Sequence, residues 1–445
     1  MHTKFRQISD TVRQSFTGSN RWEVAEFIIL TMLTIALTID WRGAMWLIAI
    51  FVLVSVVGHF AASDKPTENT VCRIPGIGRE RWICYAMLAF YTINLIGALR
   101  SSNISCGLED ITTKLSLLIF PLLALLKLSP HRGYHNSLSR KHIRMLLYVL
   151  WASLLLQFFV WLSIAGIRFS QGTPIVALMG ENFTVEHHSY LALFILVAMA
   201  FASSEILRQL QKNGQMSSWG WILFLGELVL TLFLVVMDSR AGIVVIVILA
   251  LVVLVDYVAT THRWKGVVLF ILLLAGGSVL TYQSLPREYR RFDNTIKRFK
   301  DGDPVDIRSQ LAECVWEAAE GHWLLGLGNG DAQDELLKHY LDHDLQEAYD
   351  NNFGPHNQYL STLLECGFTG VVLLFAMLLM PAIVAWRNHL SHRDGRPVYL
   401  IVLVASLLIC FESMLGRASG VMFIAFIYYI LTLWTQKTSA LPSSV

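Results

Sequence analysis

Three basic side chains hold most of the chemistry available to this sequence of 445 residues: Arg240, Arg308 and His356. Arginine presents a planar fork of donors that grips phosphate bidentately and keeps its charge. Histidine titrates near neutrality and can take a proton from a hydroxyl. Arg240 stands in DSRAG, Arg308 in VDIRSQLAECVWEAAEG, and His356 in DNNFGPHNQYLSTLLECGFTG. Each has a plainer reading beside the chemical one. Arg240 could snorkel to a membrane interface or pair with Asp238, and Arg308 could be a solvated surface charge. For His356 the local pattern predicts a helix opening at Pro355 and His356, with Gly354 as its cap. Unpaired N–H groups and the helix dipole would favour anions there and disfavour imidazolium, so a neutral, proton-accepting ring is expected. Asn357, Gln358 and Tyr359 beside it would orient a ligand or simply cap the helix.

The elements that must position these residues are membrane-spanning. The chain is 54% hydrophobic and 15% charged, with a mean hydropathy of +0.52, against roughly 45–50% apolar and 25% charged in soluble domains. The composition is that of an all-α polytopic membrane protein, and a net charge of +2 gives no reason to expect a nucleic-acid partner. Apolar runs near the ~20 residues that a spanning helix needs fall at 24–39, 43–61, 82–99, 113–128, 145–166, 188–206, 220–237, 241–258, 266–283, 366–386, 398–412 and 419–435. About twelve helices are therefore expected. They are grouped as spans one to nine in 1–283, a loop at 284–365, and three spans with a tail in 366–445. The N-terminal segment is basic and has no small-residue cleavage site, so no cleaved signal peptide is expected. With that segment inside, the arginine- and lysine-rich short loops all fall on the same side, which predicts both termini in the cytoplasm and the long loop outside.

Inside the loop, Leu311, Val315 and Ala318, then Leu336, Leu337, Tyr340 and Leu341, recur at helical spacing and predict a small helical cap. GLGNGD, between these stretches, resembles a phosphate cradle only loosely and suffices as a turn. Asp301, Asp303 and Asp306 in DGDPVD could hold a divalent cation or end in a helix cap. In EHHSYLALF the histidines, His188 among them, lack zinc-site spacing, and neither metal nor cofactor is expected. In FESMLGRASG, Glu412 and Arg417 are close enough to pair, or Arg417 could join the other arginines. The six cysteines read as free thiols, with Cys106–Cys314 as the one pairing considered.

HHSYLALF, the SRAG hairpin, the loop helix beginning at Arg308, GLGNGD and PHNQYLSTLLECGFTG together resemble the O-antigen ligase and O-antigen polymerase superfamily of bacterial inner membranes. The resemblance covers roughly residues 186 to 435, and PHNQYL with the following E-x-G-x-x-G stretch is its most specific part. It implies a GT-C-type glycosyltransferase that moves a glycan from undecaprenyl diphosphate to an acceptor such as lipid A-core, facing the periplasm. Carried over by position, the essential arginines fall on Arg240 and Arg308 and the essential histidine on His356. His188, Tyr190, Asn357, Gln358 and Arg417 are further candidates for substrate contact. The alternatives are an O-antigen or exopolysaccharide polymerase, a protein O-oligosaccharyltransferase and, from a different class, a twelve-helix secondary transporter. A transporter would be expected to carry charges near the membrane midplane and Gly- or Pro-broken helices in both halves, with internal repeats. Here the charges gather at the ends of spans and in one loop.

Overall fold

The structure is a computed structural model that describes residues 21–61, 78–128, 138–174, 188–261 and 307–436. Every regular element among the described residues is a helix. Before the loop these are α1 (Arg21–Ile39), α2 (Trp41–Ala61), α3 (Arg81–Arg100), α4 (Ile104–Thr113), α5 (Ser116–Lys127), α6 (Arg140–Ser170), α7 (His188–Asn213), α8 (Ser218–Val236) and α9 (Arg240–Thr261). The loop contributes α10 (Ile307–Ala318), α11 (Ala332–Asp342) and α12 (Gln346–Asp350). After it come α13 (Gln358–Arg387), α14 (His392–Leu408) and α15 (Ala418–Trp434).

Eight of these helices are long and apolar enough to cross a membrane, and the chain is a multi-pass membrane protein: α1, α2, α3, α6, α7, α8, α9 and α13. The expected spans at 398–412 and 419–435 coincide with helices of 17 residues each. The expected span at 266–283 lies outside the described residues. The run at 113–128 corresponds to a shorter apolar helix, α5. Lys114, drawn into an ion cluster, separates α4 from an α5 of 12 residues.

A helix that is apolar all round belongs in the interior, and α7 and α15 take that place. In the apolar window of α7, 89% of residues are buried, against 17% in α9. In α15 every residue from Ser419 to Trp434 is buried. The two meet through the rings of Phe194 and Phe423, 4.0 Å apart between centroids. Alanines and serines on α7 (Ala192, Ala198, Ala200, Ala202, Ser204) let its neighbours approach closely. Around it lie α6, α8, α9 and α14, while α13 packs on α3 and α14.

One end of this bundle is closed by ion pairs between helix termini. Arg140 meets Asp394 at 3.2 Å, Arg144 meets Glu205 at 3.1 Å, and Arg396 meets Asp256 at 2.6 Å. At the opposite end stands the loop subdomain. Leu311, Val315 and Ala318 of α10 and Leu336 and Tyr340 of α11 form a separate small core, as their spacing predicts, while Leu341 is exposed. Leu364 of α13 completes that core, so the subdomain rests on the first turns of α13.

α13 itself is bent. Gly367 has φ 65° and ψ −167° in mid-helix, a left-handed conformation that costs a residue with a Cβ far more than glycine. The break frees two donors that the loop then accepts: Phe368 N–H donates to Trp323 O at 2.7 Å and Thr369 N–H to Leu324 O at 3.3 Å. The expected span at 366–386 begins at this bend, and the turns from Gln358 to Cys366 belong to the loop side.

Candidate active site

His356 lies just before α13 rather than in its first turn. Asn357 is the cap, its side-chain oxygen accepting from the N–H groups of Tyr359 at 2.9 Å and Leu360 at 3.3 Å. Pro355 is buried and His356 has φ 49°. The expected Gly354 cap is therefore replaced by a left-handed turn at the histidine that lets Asn357 swing its amide over the helix end. A histidine tolerates this region better than most residues, yet it remains a sparsely populated conformation of the sort that gathers at functional sites.

The turn aims the imidazole at Glu412. Nδ1 of His356 lies 3.2 Å from Oε1 of Glu412, and the ring is held edge-on to Phe353 with centroids 5.5 Å apart. Among the described residues Nε2 has no hydrogen-bond partner, and the side chain is 31% exposed. Glu412 is 12% exposed and fixed in turn. Its Oε1 accepts from Ser413 N–H at 3.1 Å and its Oε2 from Ser189 Oγ at 3.3 Å. A carboxylate that orients a histidine through one nitrogen and leaves the other open is the arrangement of a general base with its positioning partner. Glu412 does not pair with Arg417, as the sequence allowed.

The other candidates around this pair divide into those that build it and those that face outward. Tyr190 is 3% exposed and donates its hydroxyl to Ser413 O at 3.2 Å. Arg417 is exposed at the start of α15 with its guanidinium 5.8 Å from the centroid of that tyrosine ring. Gln358 is 2% exposed; its Oε1 accepts from Leu415 N–H at 2.6 Å and its Nε2 donates to Thr362 Oγ1 at 3.3 Å. It pins the Glu412 turn to α13, which leaves its amide no free face for a ligand. His188 opens α7 next to Ser189. The sequence marked Glu412 as a carboxylate at the end of an apolar run in the same short loop as Arg417, and the structure turns it to His356 instead.

The fold brings the two arginines to the same end as His356. Ser217 Oγ donates to Gln209 Oε1 at 2.6 Å and Gln211 Nε2 to Thr260 Oγ1 at 2.7 Å, so the end of α7, the start of α8 and the end of α9 lie together at the ion-paired end. The hairpin between α8 and α9 is thus at the other end, with Ser189 and Glu412. Asp238 there has φ 55°, and buried Ser239 accepts from Gly242 N–H at 3.3 Å, which caps α9 and leaves Arg240 exposed in its first turn. Arg308 is exposed in the first turn of α10, on the subdomain seated against α13. Neither arginine hydrogen-bonds to His356.

GLGNGD is a docking turn. Asp331 accepts from the N–H groups of Ser102 at 2.6 Å and Asn103 at 2.8 Å, ahead of α4. A Cβ on Gly330 would lie 2.1 Å from Asn103 O, so glycine is required for the contact. Asn329 donates to Asp110 at 2.6 Å and Asn94 at 3.0 Å. It thereby joins the cluster in which Lys114 Nζ meets Asp110 at 2.7 Å, Asn94 at 2.8 Å and Glu365 at 2.9 Å.

Cys106 is exposed and Cys314 buried, both as free thiols, so the considered disulfide is not formed. Burial pushes the Cys314 thiol up to about 11. Among the described residues no group of three or more His, Cys, Asp or Glu side chains is placed to hold a metal ion. Asp301, Asp303 and Asp306 lie outside the described residues. Residues 225–375 match the family model described as O-Antigen ligase, a segment that runs from α8 into α13 and takes in Arg240, Arg308 and His356. No curated protein matches the chain.

Proposed function

We propose, from the membership of residues 225–375 in the O-antigen ligase-like superfamily, that this protein transfers a glycan from undecaprenyl diphosphate to the hydroxyl of an acceptor sugar. The observation that carries the reading is the His356–Glu412 pair, with Nδ1 engaged at 3.2 Å and Nε2 open. The acceptor oxygen attacks the anomeric carbon while its proton passes to Nε2 of His356. The carbon–oxygen bond to the diphosphate breaks as the new glycosidic bond forms, and the configuration at carbon inverts. Undecaprenyl diphosphate leaves with the bonding electrons, and Arg240 and Arg308 balance the charge that builds on its phosphates. Glu412 holds the ring and meets the imidazolium that forms. Arg417, exposed at the same end, adds a further contact to glycan or phosphate in this reading.

The site faces the periplasm, in a bacterial inner-membrane protein of GT-C type with both termini cytoplasmic. Supporting this orientation, Arg140, Arg144, Arg208 and Arg396 gather at the end opposite His356. The acceptor we favour is lipid A-core, with a repeat-unit polymerase as the second reading in the same family.

The test is complementation of a deletion strain with wild type, His356→Asn, Arg240→Ala or Arg308→Ala, reading surface glycan and carrier-linked glycan together. Asparagine tolerates the left-handed backbone but cannot act as the base. Loss of a general base lowers the rate by roughly 10²–10⁴. A ligase defect leaves long glycan on the carrier and none on the core, whereas a polymerase defect leaves single repeat units. Normal glycan from all three variants at normal expression would falsify the catalytic assignment. Reliance on arginine charge also predicts that a chelator leaves transfer by purified enzyme unchanged, and recovery of a lost rate by added Mn or Mg would move the site towards Asp301 and Asp303.

A further inference from the structure

α13 carries one continuous exposed apolar stripe, Phe368, Val372, Phe375, Leu379, Ile383 and Trp386, at helical spacing. At about 1.5 Å per residue it runs roughly 27 Å, close to the ~30 Å of a hydrocarbon core. Aromatic rings mark both of its ends, as they do where spans meet the two water interfaces. Trp386 is 68% exposed at the end beside Arg387. At the other end the rings continue off the helix: Trp323 stacks on Phe368 with centroids 5.9 Å apart, and Trp316 lies 5.4 Å from Trp323. Beside them Leu324 is 70% exposed, more than any residue of the stripe itself.

This ladder is fixed against the span. The bonds from Phe368 N–H and Thr369 N–H to Trp323 O and Leu324 O tie it to the bend at Gly367. Arg100 donates to Leu325 O at 3.2 Å and is itself exposed, which puts a cation at the same level. A bulky apolar edge, rings in a row and a neighbouring cation at the head of a lipid-length stripe together match the boundary between acyl chains and phosphate headgroups.

We propose that Trp316, Trp323 and Leu324 insert into the headgroup–acyl boundary of the leaflet at the His356 end, so that the loop subdomain sits on the bilayer surface and holds Arg308 at a set height above it. The occupant of this surface is lipid, argued from continuity with the span, and the inference does not depend on the transferase reading.

Spin labelling tests it. A nitroxide is attached to Leu324→Cys in full-length chain carrying Cys72→Ser, Cys106→Ser and Cys410→Ser, reconstituted in vesicles of phosphatidylethanolamine and phosphatidylglycerol. Power saturation is then measured with oxygen and with a water-soluble nickel chelate. The expected result is oxygen contact dominating at position 324, with nickel contact severalfold lower than at Lys338→Cys, a position on a side chain 68% exposed on α11. Nickel contact equal to that at position 338 would put the ladder in water and overturn the proposal. Shielding from both reagents would also overturn it, because the cover would then be protein, a second copy or a partner. A label at Trp316→Cys, on the other side of the ladder, repeats the reading should the first variant fail to fold.

Discussion

Two charged clusters meet the first turns of α13, and they differ in how much of their bonding capacity is spent. Lys114 is 1% exposed and gives its three donors to Asp110, Glu365 and Asn94. An ammonium has no more to give. His356 is 31% exposed, spends Nδ1 on Glu412 and keeps Nε2 free of protein among the described residues. Both join the loop side of the molecule to the bundle. The saturated cluster can only hold, and it holds GLGNGD against α3 and α4. The unsaturated one is rigid at Glu412 and open at Nε2, the atom to which the proposed mechanism sends the acceptor's proton.

Lys114 is the residue whose loss should cost most. In Lys114→Met, Asp110 and Glu365 lose their counter-charge in a site where each is about four-fifths buried. Removing one partner of a buried pair costs about 3–5 kcal/mol, and partial exposure puts this one near the lower figure. Thermal unfolding of the purified protein in detergent should show a large drop, and GLGNGD should become susceptible to proteolysis. An unchanged melting temperature would mean that the cluster is not a clamp.

Glu412→Gln acts on the other side and should read out in rate. The amide keeps the shape but presents no full charge to a developing imidazolium. Transfer should fall about ten- to a hundredfold, roughly 1.4–2.7 kcal/mol in the barrier, with kcat carrying the loss and KM unchanged. A rise in KM alone would make Glu412 a substrate contact instead. Asn357→Ala should cost about 1 kcal/mol, the usual loss of a helix cap, measured by unfolding and by faster hydrogen exchange at Tyr359 and Leu360. Asn357→Asp should be close to neutral because aspartate accepts the same two bonds.

These contrasts also show what the sequence made legible. The spanning helices could be read because length and apolarity suffice to define them, and the two loop helices because Leu311, Val315, Leu336 and Tyr340 keep the helical period. Chain order and a short hairpin carried Arg240 to the His356 end, and the packing of the loop helices on α13 put Arg308 there. Three features resisted for physical reasons. Hydropathy averaging hid Lys114, whose charge ends α4 just before the apolar run of α5 begins. The preference for proline at a helix start argued for His356 inside the helix, but the left-handed turn moved the cap to Asn357. Glu412 meets His356 only because α13 and α14 return to the same end, and no local pattern encodes a contact between residues so far apart in the chain.

The weakest contrast lies on the loop subdomain, where charge is neither saturated nor buried. His343 Nε2 lies 2.7 Å from Glu317 Oε2, with His339 Nδ1 at 3.5 Å. The hydrogen bond to Glu317 raises the His343 pKa, and the same bond lowers that of Glu317. A raised histidine gives stability that is complete below its unfolded value, near 6.5, and is lost as pH climbs through the folded one. A lowered carboxyl gives stability that is complete above its unfolded value, near 4.3, and is lost as pH falls through the folded one. The pair therefore helps most between those two values. His343→Ala should lower the melting temperature slightly at pH 5.5 and not at pH 8.5, whereas the drop in Lys114→Met should persist at both. If His343→Ala costs the same at both pH values, the ring stabilises α10 and α11 by packing, and exposure alone does not separate the working charges of this molecule from the structural ones.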